Sequence, residues 1–333
     1  MRIAVLSDIH ANLPALAAVL EDAAQQGIDL ESKAFWCLGD VIGYGPHPVE
    51  TLNFLRDYVD PQAWVLGNHE AMLADLVLPQ EMEAGKDKSS LMRVNLEEGK
   101  GDEVVVRGNL LTYDEWFITT SPPVNAIRLN LATLAEQGEP IQFWQEKFLK
   151  EKMGPVELHH DGVDYSLVHA SRKKQLSRYI YGWQVDILLP EEFDLLSKHS
   201  PERQFPRVQF YGHTHAPLLV RARFDKDGRR FVIFPEKVSP QATITLDTEY
   251  ALVNPGSVGQ PRNLDRRACY AILDTCAHTV TFCRVAYDWQ ETALDLQKRD
   301  YPPSLVARLK TASAIEKETP DDWLEYYREA AKQ

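Results

Sequence analysis

A chain of 333 residues with 44% apolar residues, 26% charged residues and seven tryptophans excludes a disordered or fibrous protein. Its length allows either one large α/β domain with a decoration or two ordinary domains. The formal net charge of −13 argues against a generic nucleic-acid groove, which needs clustered Lys and Arg, and suits a protein that gathers divalent cations at carboxylates.

Residues 2–6 (RIAVL) form an apolar run ending in a polar turn, and Leu13, Leu16, Ala17, Val19 and Leu20 follow at helical spacing. The same strand, loop, helix pattern returns with AFWCL at 34–38, then a helical stretch after Pro46 and Pro48 carrying Val49, Leu52, Phe54 and Leu55. A third strand, AWVL at 63–66, precedes Gly67. This alternation predicts right-handed βαβ units, whose ligands collect at the carboxyl ends of the strands.

From 79 to 125 the rhythm breaks into charged, irregular sequence around a brief valine run, and 128–152 reads as helical. VELHH and YSLVH then predict a hairpin turning at Asp161 and Gly162. A basic, tyrosine-bearing loop (SRKKQLSRYIYGW, 171–183) and a helix near 185–198 lead to the strand VQFY at 208–211. Strand-like runs follow at LLVRARF, FVIF, ATITL, YALVN, CYAIL and VTFCRV, and 289–333 reads as helical. The stretch YPPSLVARL at 301–309 either starts a docking helix or contributes to a dimer interface. Cys37, Cys269, Cys276 and Cys283 form no CxxC pair, which indicates reduced thiols, with Cys269 and Cys283 facing each other across a hairpin turning near Thr275 to His278. The expected organisation is one domain over 1–288, with 79–150 as an insertion or cap, and a helical extension over 289–333. No run approaches 18 uninterrupted apolar residues, so the expected setting is soluble and cytoplasmic.

Four segments carry the chemistry: SDIH at 7–10, GD at 39–40, GNHE at 67–70 and GHTH at 212–215, joined by a lone His169 after YSLV. Each ends a predicted strand, so carboxylates, an amide and imidazoles can converge at one sheet edge. Any one segment alone reads as a helix cap or a surface turn. Together, in order and each at a strand end, they read as a metal site. A mixed oxygen and nitrogen shell suits Mn, Fe, Zn, Ni or Co better than an all-oxygen calcium site. Two ions about 3.5–4 Å apart, bridged by a carboxylate and a nucleophilic hydroxide, would serve in-line attack on phosphorus. Gly39, Gly67 and Gly212 remove side-chain bulk beside the ligands, with positive φ expected there.

At these residues the chain resembles the calcineurin-like metallophosphoesterase superfamily, and SDIHAN, CLGDVIGYGPHP and NPGSVGQPR resemble its bacterial phosphodiesterase-type branch of small stand-alone enzymes. The resemblance spans roughly 7–262. It implies an α/β fold, a four-layer αββα sandwich of two mixed sheets flanked by helices. It places one divalent ion on Asp8, His10, Asp40 and His215 and a second on Asp40, Asn68, His169 and His213, with Asp40 bridging. His69 would stabilise the transition state and could protonate the leaving oxygen. The protein Ser/Thr phosphatase branch continues with Asp and Arg where this chain has Gly43 and Tyr44, so a phosphoprotein substrate is not implied.

For substrate contacts, Tyr44 either stacks on a base or packs, and Arg172, Arg178 or Arg262 can replace the missing arginine. Residues 254–262 either touch substrate or shape the turn supporting GHTH. The leading reading is a metal-dependent phosphodiesterase acting on small nucleotide-like substrates, with no membrane or nucleic-acid polymer as partner and a homo-oligomer left open. The alternatives are a phosphomonoesterase or dinucleoside polyphosphate hydrolase and, from another class, a metal-binding scaffold without catalysis.

Overall fold

The computed structural model describes residues 1–73, 97–98, 103–107, 116–137, 154–198, 206–313 and 319–333. In chain order, β1 (Arg2–Leu6) leads into α1 (Leu13–Gln25), then β2 (Phe35–Cys37), α2 (Pro48–Tyr58) and β3 (Val59–Trp64). A short excursion follows: β4 (Glu97–Glu98), β5 (Glu103–Arg107), β6 (Trp116–Thr120) and α3 (Ser121–Glu136). The chain returns through β7 (Val156–His160), β8 (Val163–Leu167), α4 (Leu188–Lys198), β9 (Arg207–Phe210), β10 (Leu218–Phe224) and β11 (Phe231–Glu236). It closes with β12 (Thr243–Thr245), β13 (Tyr250–Asn254), β14 (Ala268–Asp274), β15 (Thr279–Val285), α5 (Trp289–Lys298), α6 (Pro303–Thr311) and α7 (Asp321–Ala330).

Two mixed six-stranded sheets result, ordered β12-β15-β14-β1-β2-β3 and β11-β10-β13-β9-β8-β7, beside a small antiparallel sheet β4-β5-β6. Within the first sheet β1, β2 and β3 are parallel, and within the second β8, β9 and β13 are parallel. Every site segment follows one of these six strands. That gives a physical reason for both sheets to be mixed: parallel strands deliver their carboxyl ends together, and antiparallel hairpins then widen each sheet.

Strand alternation sorts the core into layers. Ile3 and Val5 of β1 face Val208, Phe210 and Val253 of the other sheet, whereas Ala4 and Leu6 face the helical layer with Leu16, Val19, Leu52 and Phe54. The opposite outer face buries Leu189, Phe193, Trp323 and Tyr327 of α4 and α7 against Val220 and Leu252. This is the four-layer αββα sandwich. Helix α1 starts where Asn12 accepts a hydrogen bond from the Ala15 N–H at 3.3 Å and a proline occupies its first turn. Among the described residues no helix is long and apolar enough to cross a membrane.

Several local expectations change. The third strand begins at Val59 rather than 63, because it pairs with β2 already at Phe35. The valine run near 104 is a strand of the small sheet, and the helix expected over 128–152 starts at Ser121, while 138–153 lie outside the described residues. The β14–β15 hairpin turns where expected, but Cys283 sits opposite Tyr270 and Cys269 opposite Arg284. Neighbouring positions on a strand point to opposite faces, so the two thiols are on different sides of the sheet. The stretch 301–309 docks on its own chain, burying Leu305 and Leu309 with Tyr44, Ala126 and Leu296.

Trp36, 1% exposed, is wedged between the sheets against Tyr165 and Phe210 at ring distances of 5.6 and 6.1 Å. Trp36→Ala is expected to cost about 3–5 kcal/mol in urea unfolding, the range for emptying a large aromatic site. A loss below about 1 kcal/mol would mean that the sheets close over the void.

Candidate metal centre

The six carboxyl ends are laced together by backbone bonds that continue past the strands. Asp8 and His10 donate their N–H groups to Gly39 O and Asp40 O at 3.0 and 2.9 Å, joining the loops after β1 and β2. Gly212 N donates to His169 O at 2.7 Å, joining those after β8 and β9, and Gly259 N donates to Asp8 O at 3.0 Å across the sheets. Side chains finish the work. Ser257 Oγ donates to Asp8 O at 2.8 Å, and Asn254 Nδ2 donates to Gly212 O at 2.9 Å and to Thr214 Oγ1 at 2.8 Å. Residues 254–262 therefore do shape the turn that carries GHTH.

These constraints bring the ligand atoms of Asp8, His10, Asp40 and His215 within 4.8 Å of one another, and those of Asp40, His169 and His213 likewise. Asp40 belongs to both groups. Asn68 Oδ1 joins the second, 3.1 Å from His169 Nε2. All are buried, from 0% exposed at Asp8 to 8% at Asn68.

Hydrogen bonding orients the rings. His10, His169 and His215 turn Nδ1 to the carbonyl oxygens of Ile42, Leu38 and Gln260 at 3.1, 2.7 and 2.6 Å, so each presents Nε2 inward. His10 Nε2 and His215 Nε2 consequently face each other at 3.2 Å, with Asp8 Oδ1 3.1 Å from the latter and without a hydrogen-bond donor. With the ring protons on Nδ1, two lone pairs and a carboxylate oxygen confront one another in a water-poor site. A cation is the complement that such a donor set requires, and N/O donors of this kind suit first-row divalent ions. The other carboxylate oxygens are spoken for: Asp8 Oδ2 accepts from Ser7 Oγ at 2.6 Å and His213 N at 3.1 Å, and Asp40 Oδ1 accepts from His69 N at 2.9 Å.

The backbone is strained where the ligands attach. Asp8, His10, Asp40, His213 and His215 have φ of 53, 51, 53, 65 and 57°, a region that non-glycine residues seldom enter. Of the three glycines expected to need positive φ, Gly39 has it at 90°, while Gly67 and Gly212 are absent from the positive-φ set. Those two serve by lacking a Cβ, which would run into Asp40 Oδ1 and Ser7 Oγ respectively.

Glu70, given no role from the sequence, proves central to this architecture. Its carboxylate accepts four backbone N–H bonds, from Asp40 (2.8 Å), Gly67 (2.9 Å), Val41 (2.8 Å) and Ile42 (3.1 Å), tying the loop after β2 to the loop after β3. Burial, then the nearby Asp40 carboxylate, push it up to about 7 against the pull of those donors. Its place in GNHE was the available signal. Asn130 of α3 was also unforeseen: it accepts from Gly43 N at 2.7 Å and donates to Gly45 O and Tyr301 Oη at 2.8 Å each, clamping the strained Tyr44 (φ 55°). Tyr44 is 7% exposed, and its ring lies 4.5 Å from both His10 and His69.

His69 places Nε2 3.9 Å from Asp40 Oδ2, while its buried Nδ1 has no partner. A Cβ on Gly43 would collide with that Nδ1, so glycine at 43 is what lets the ring fit. Burial drives His69 down to about 4 despite Asp40, which leaves it neutral at pH 7. Burial likewise lowers His10, His213 and His215. His169 departs from this: burial opposes its charge, yet Asp40, 3.5 Å away, more than offsets that and raises it to about 9.

Of the residues named for substrate contact, Arg172 is committed elsewhere, donating to Ser166 Oγ at 2.5 Å and Glu157 at 2.7 Å. Lys173 and Arg178 share Glu191. Arg262 donates to Tyr44 Oη at 3.4 Å beside the clusters.

The parallel strand ends thus present two groups of histidines and aspartates that could hold metal ions. The chain belongs to the calcineurin-like phosphoesterase family, whose model matches residues 1–217, and is thereby a metal-dependent phosphoester hydrolase. The crystal structure of a metallophosphoesterase from Sphaerobacter thermophilus is similar at 29% identity and TM-score 0.62, covering 94% of this chain and all of the other. An uncharacterised protein of Methanocaldococcus jannaschii is 27% identical over 92% of this chain and 96% of its own length. A symmetrical bis(5'-nucleosyl)-tetraphosphatase of Aromatoleum aromaticum is 33% identical over 24% of this chain and 29% of its own length.

Because His169 rises from 6.5 to about 9, its ion pair with Asp40 stabilises the metal-free protein fully below pH 6.5 and is lost as pH climbs through about 9. A metal ion bound through His169 near pH 7.5 would expel that proton. Calorimetry in buffers of differing ionisation enthalpy is expected to show about one proton released per protein, falling away above pH 9. Release near zero at pH 7.5 would contradict the protonated His169.

Proposed function

We propose that this protein hydrolyses phosphodiester bonds of small nucleotide-like substrates at a centre of two divalent ions drawn from Mn, Fe, Zn, Ni and Co. The observation that carries this reading is Asp40, whose side chain belongs to both ligand groups. Asp8, His10, Asp40 and His215 would hold one ion, and Asp40, Asn68, His169 and His213 the other. When bound, the ions supply Lewis acidity toward the phosphoryl oxygens and acidify a water to serve as nucleophile.

The chain's own residues do the rest. Backbone bonds and Glu70 hold the ligands before substrate arrives, so no reorganisation is needed during reaction. His69, neutral and packed between Tyr44 and His10, donates a hydrogen bond from Nε2 to the phosphoryl oxygen that gains charge. Preference for diesters is supported by Gly43 and Tyr44: the first leaves His69 Nδ1 without a carboxylate to charge it, and the second replaces a fixed cation by a neutral phenol. A dinucleoside polyphosphate is the second reading, favoured by the partial likeness to the symmetrical tetraphosphatase. Turnover of a cyclic or dinucleotide diester against a dinucleoside tetraphosphate, each with every candidate metal, separates the two.

Asp40→Ala is expected to lose both ions in elemental analysis. His69→Ala is expected to keep them and lose about 10²–10³-fold in kcat, the usual effect of removing one transition-state donor. A His69→Ala protein emptied of metal would instead make His69 part of the ligand shell. Parent protein that is metal-replete yet inert on every ester would leave the scaffold alternative.

A further inference from the structure

We propose that Trp323 of the C-terminal helix α7 is a positioning residue for the metal centre, acting on His213 through a column of three aromatic rings, a role that rests on the reading of His213 as a ligand of the second ion. His213 differs from the other three histidines of the two ligand groups. His10, His169 and His215 each turn Nδ1 to a backbone carbonyl oxygen, whereas among the described residues no hydrogen bond orients the His213 ring. What flanks that ring is aromatic. Tyr179 lies over it at 4.1 Å with an interplanar angle of 27°, and the His169 ring meets it edge-on at 5.1 Å.

Tyr179 is the first ring of the column. Tyr181 stands parallel to it, with ring centres 5.9 Å and planes 3° apart, and Trp183 stacks on Tyr181 at 4.5 Å and 6°. Trp183 in turn meets Trp323 edge to face at 5.5 Å. The loop that bears the three rings, 171–183, has no helix or strand of its own, so its side chains take their places from what they lean on. Tyr211 Oη donates to Ile180 O at 3.2 Å and holds the loop backbone against β9. A Cβ on Gly182 would run into the Trp323 indole, so the chain passes that ring closely because residue 182 has no side chain.

Trp323 is the fixed end. It is buried in one cluster with Leu218, Val220 and Tyr327, and Lys237 lies over its indole at 5.3 Å while donating to Asp322 O and Oδ2 at 2.8 and 2.9 Å. Tyr326 Oη donates to Val238 O at 2.6 Å and Arg267 donates to Ala330 O at 3.2 Å, so α7 is tied down along its whole length. Stacked and edge-to-face contacts favour particular ring orientations, so each ring restrains the tilt of the next. A metal–imidazole bond is directional, and metal-bound histidines are ordinarily oriented by a partner on the outer nitrogen. At His213 the face of the ring is held instead, and the restraint is passed inward from α7.

The test titrates the full-length protein, stripped of metal by chelation, with cobalt(II) alone. Binding is followed by calorimetry and by the visible absorption of the bound ion, with stoichiometry from elemental analysis. The event that His213→Ala weakens more belongs to the second group. Trp323→Ala is expected to weaken that event about ten-fold, the low end for losing a group that orients a metal-bound histidine, to shift its absorption band and to spare the other event. Trp323→Phe keeps a ring at the end of the column and is expected to restore both affinity and band. Equal weakening of the two events, weakening of neither, or a Phe variant as weak as the Ala variant overturns the proposal. Should Trp323→Ala fail to fold, Tyr179→Leu decides: it keeps apolar bulk but removes the plane over His213, and parental affinity for the second ion overturns the proposal. If no event responds to His213→Ala, the ligand reading falls and the positioning role with it. A response to His213→Ala without one to Trp323→Ala overturns the positioning role alone.

Discussion

Everything in this molecule answers to one constraint: carboxylates and imidazoles are packed together out of water with their lone pairs facing one another. Such a cluster is unstable alone. It holds because His10, His169 and His215 are each turned by a carbonyl oxygen on Nδ1 and each carboxylate has one oxygen engaged by N–H or O–H donors, and a divalent cation would balance what remains. The left-handed backbone at Asp8, His10, Asp40, His213 and His215, costing about 1–3 kcal/mol per residue, persists because the loops are bonded to one another across both sheets.

The sandwich is the device that makes this convergence possible. Parallel strands β1, β2 and β3 in one sheet and β8, β9 and β13 in the other bring their carboxyl ends to a common edge, with Trp36, Tyr165 and Phe210 filling the space between the sheets. Packing fixes the distance between sheets, and hence whether Asp40 of one can reach His169 of the other. The C-terminal helices add a wall. Leu305 and Leu309 of α6 and Leu296 of α5 close around Tyr44, while Tyr301 and Asn130 pin the loop on either side of it.

The site also separates two kinds of cation. On the basic loop 171–178, Arg172 pairs with Glu157, and Lys173 and Arg178 share Glu191. Arg262 instead donates to the Tyr44 phenol at 3.4 Å beside the ligand clusters.

Apolar runs ending in ligand-type residues were legible in the chain alone, and so were the hairpin at Asp161 and Gly162 and the residues now found clustered, whereas the two mixed sheets followed from the family resemblance. Strand ends are local events, and Asp, His and Asn carry their chemistry wherever they stand. The start of β3, the helix beginning at Ser121 and the facing of Cys269 and Cys283 were misread because register and pairing are set by partners distant in the chain. The same limit hid Glu70, whose four N–H donors come from two loops, and Asn130, which acts on Gly43 and Gly45 from 87 and 85 positions away. Residue type and spacing determined the chemistry. Only the folded arrangement decided which nitrogen of His10, His169 and His215 faces inward, because that depends on carbonyl groups brought to them from distant parts of the chain.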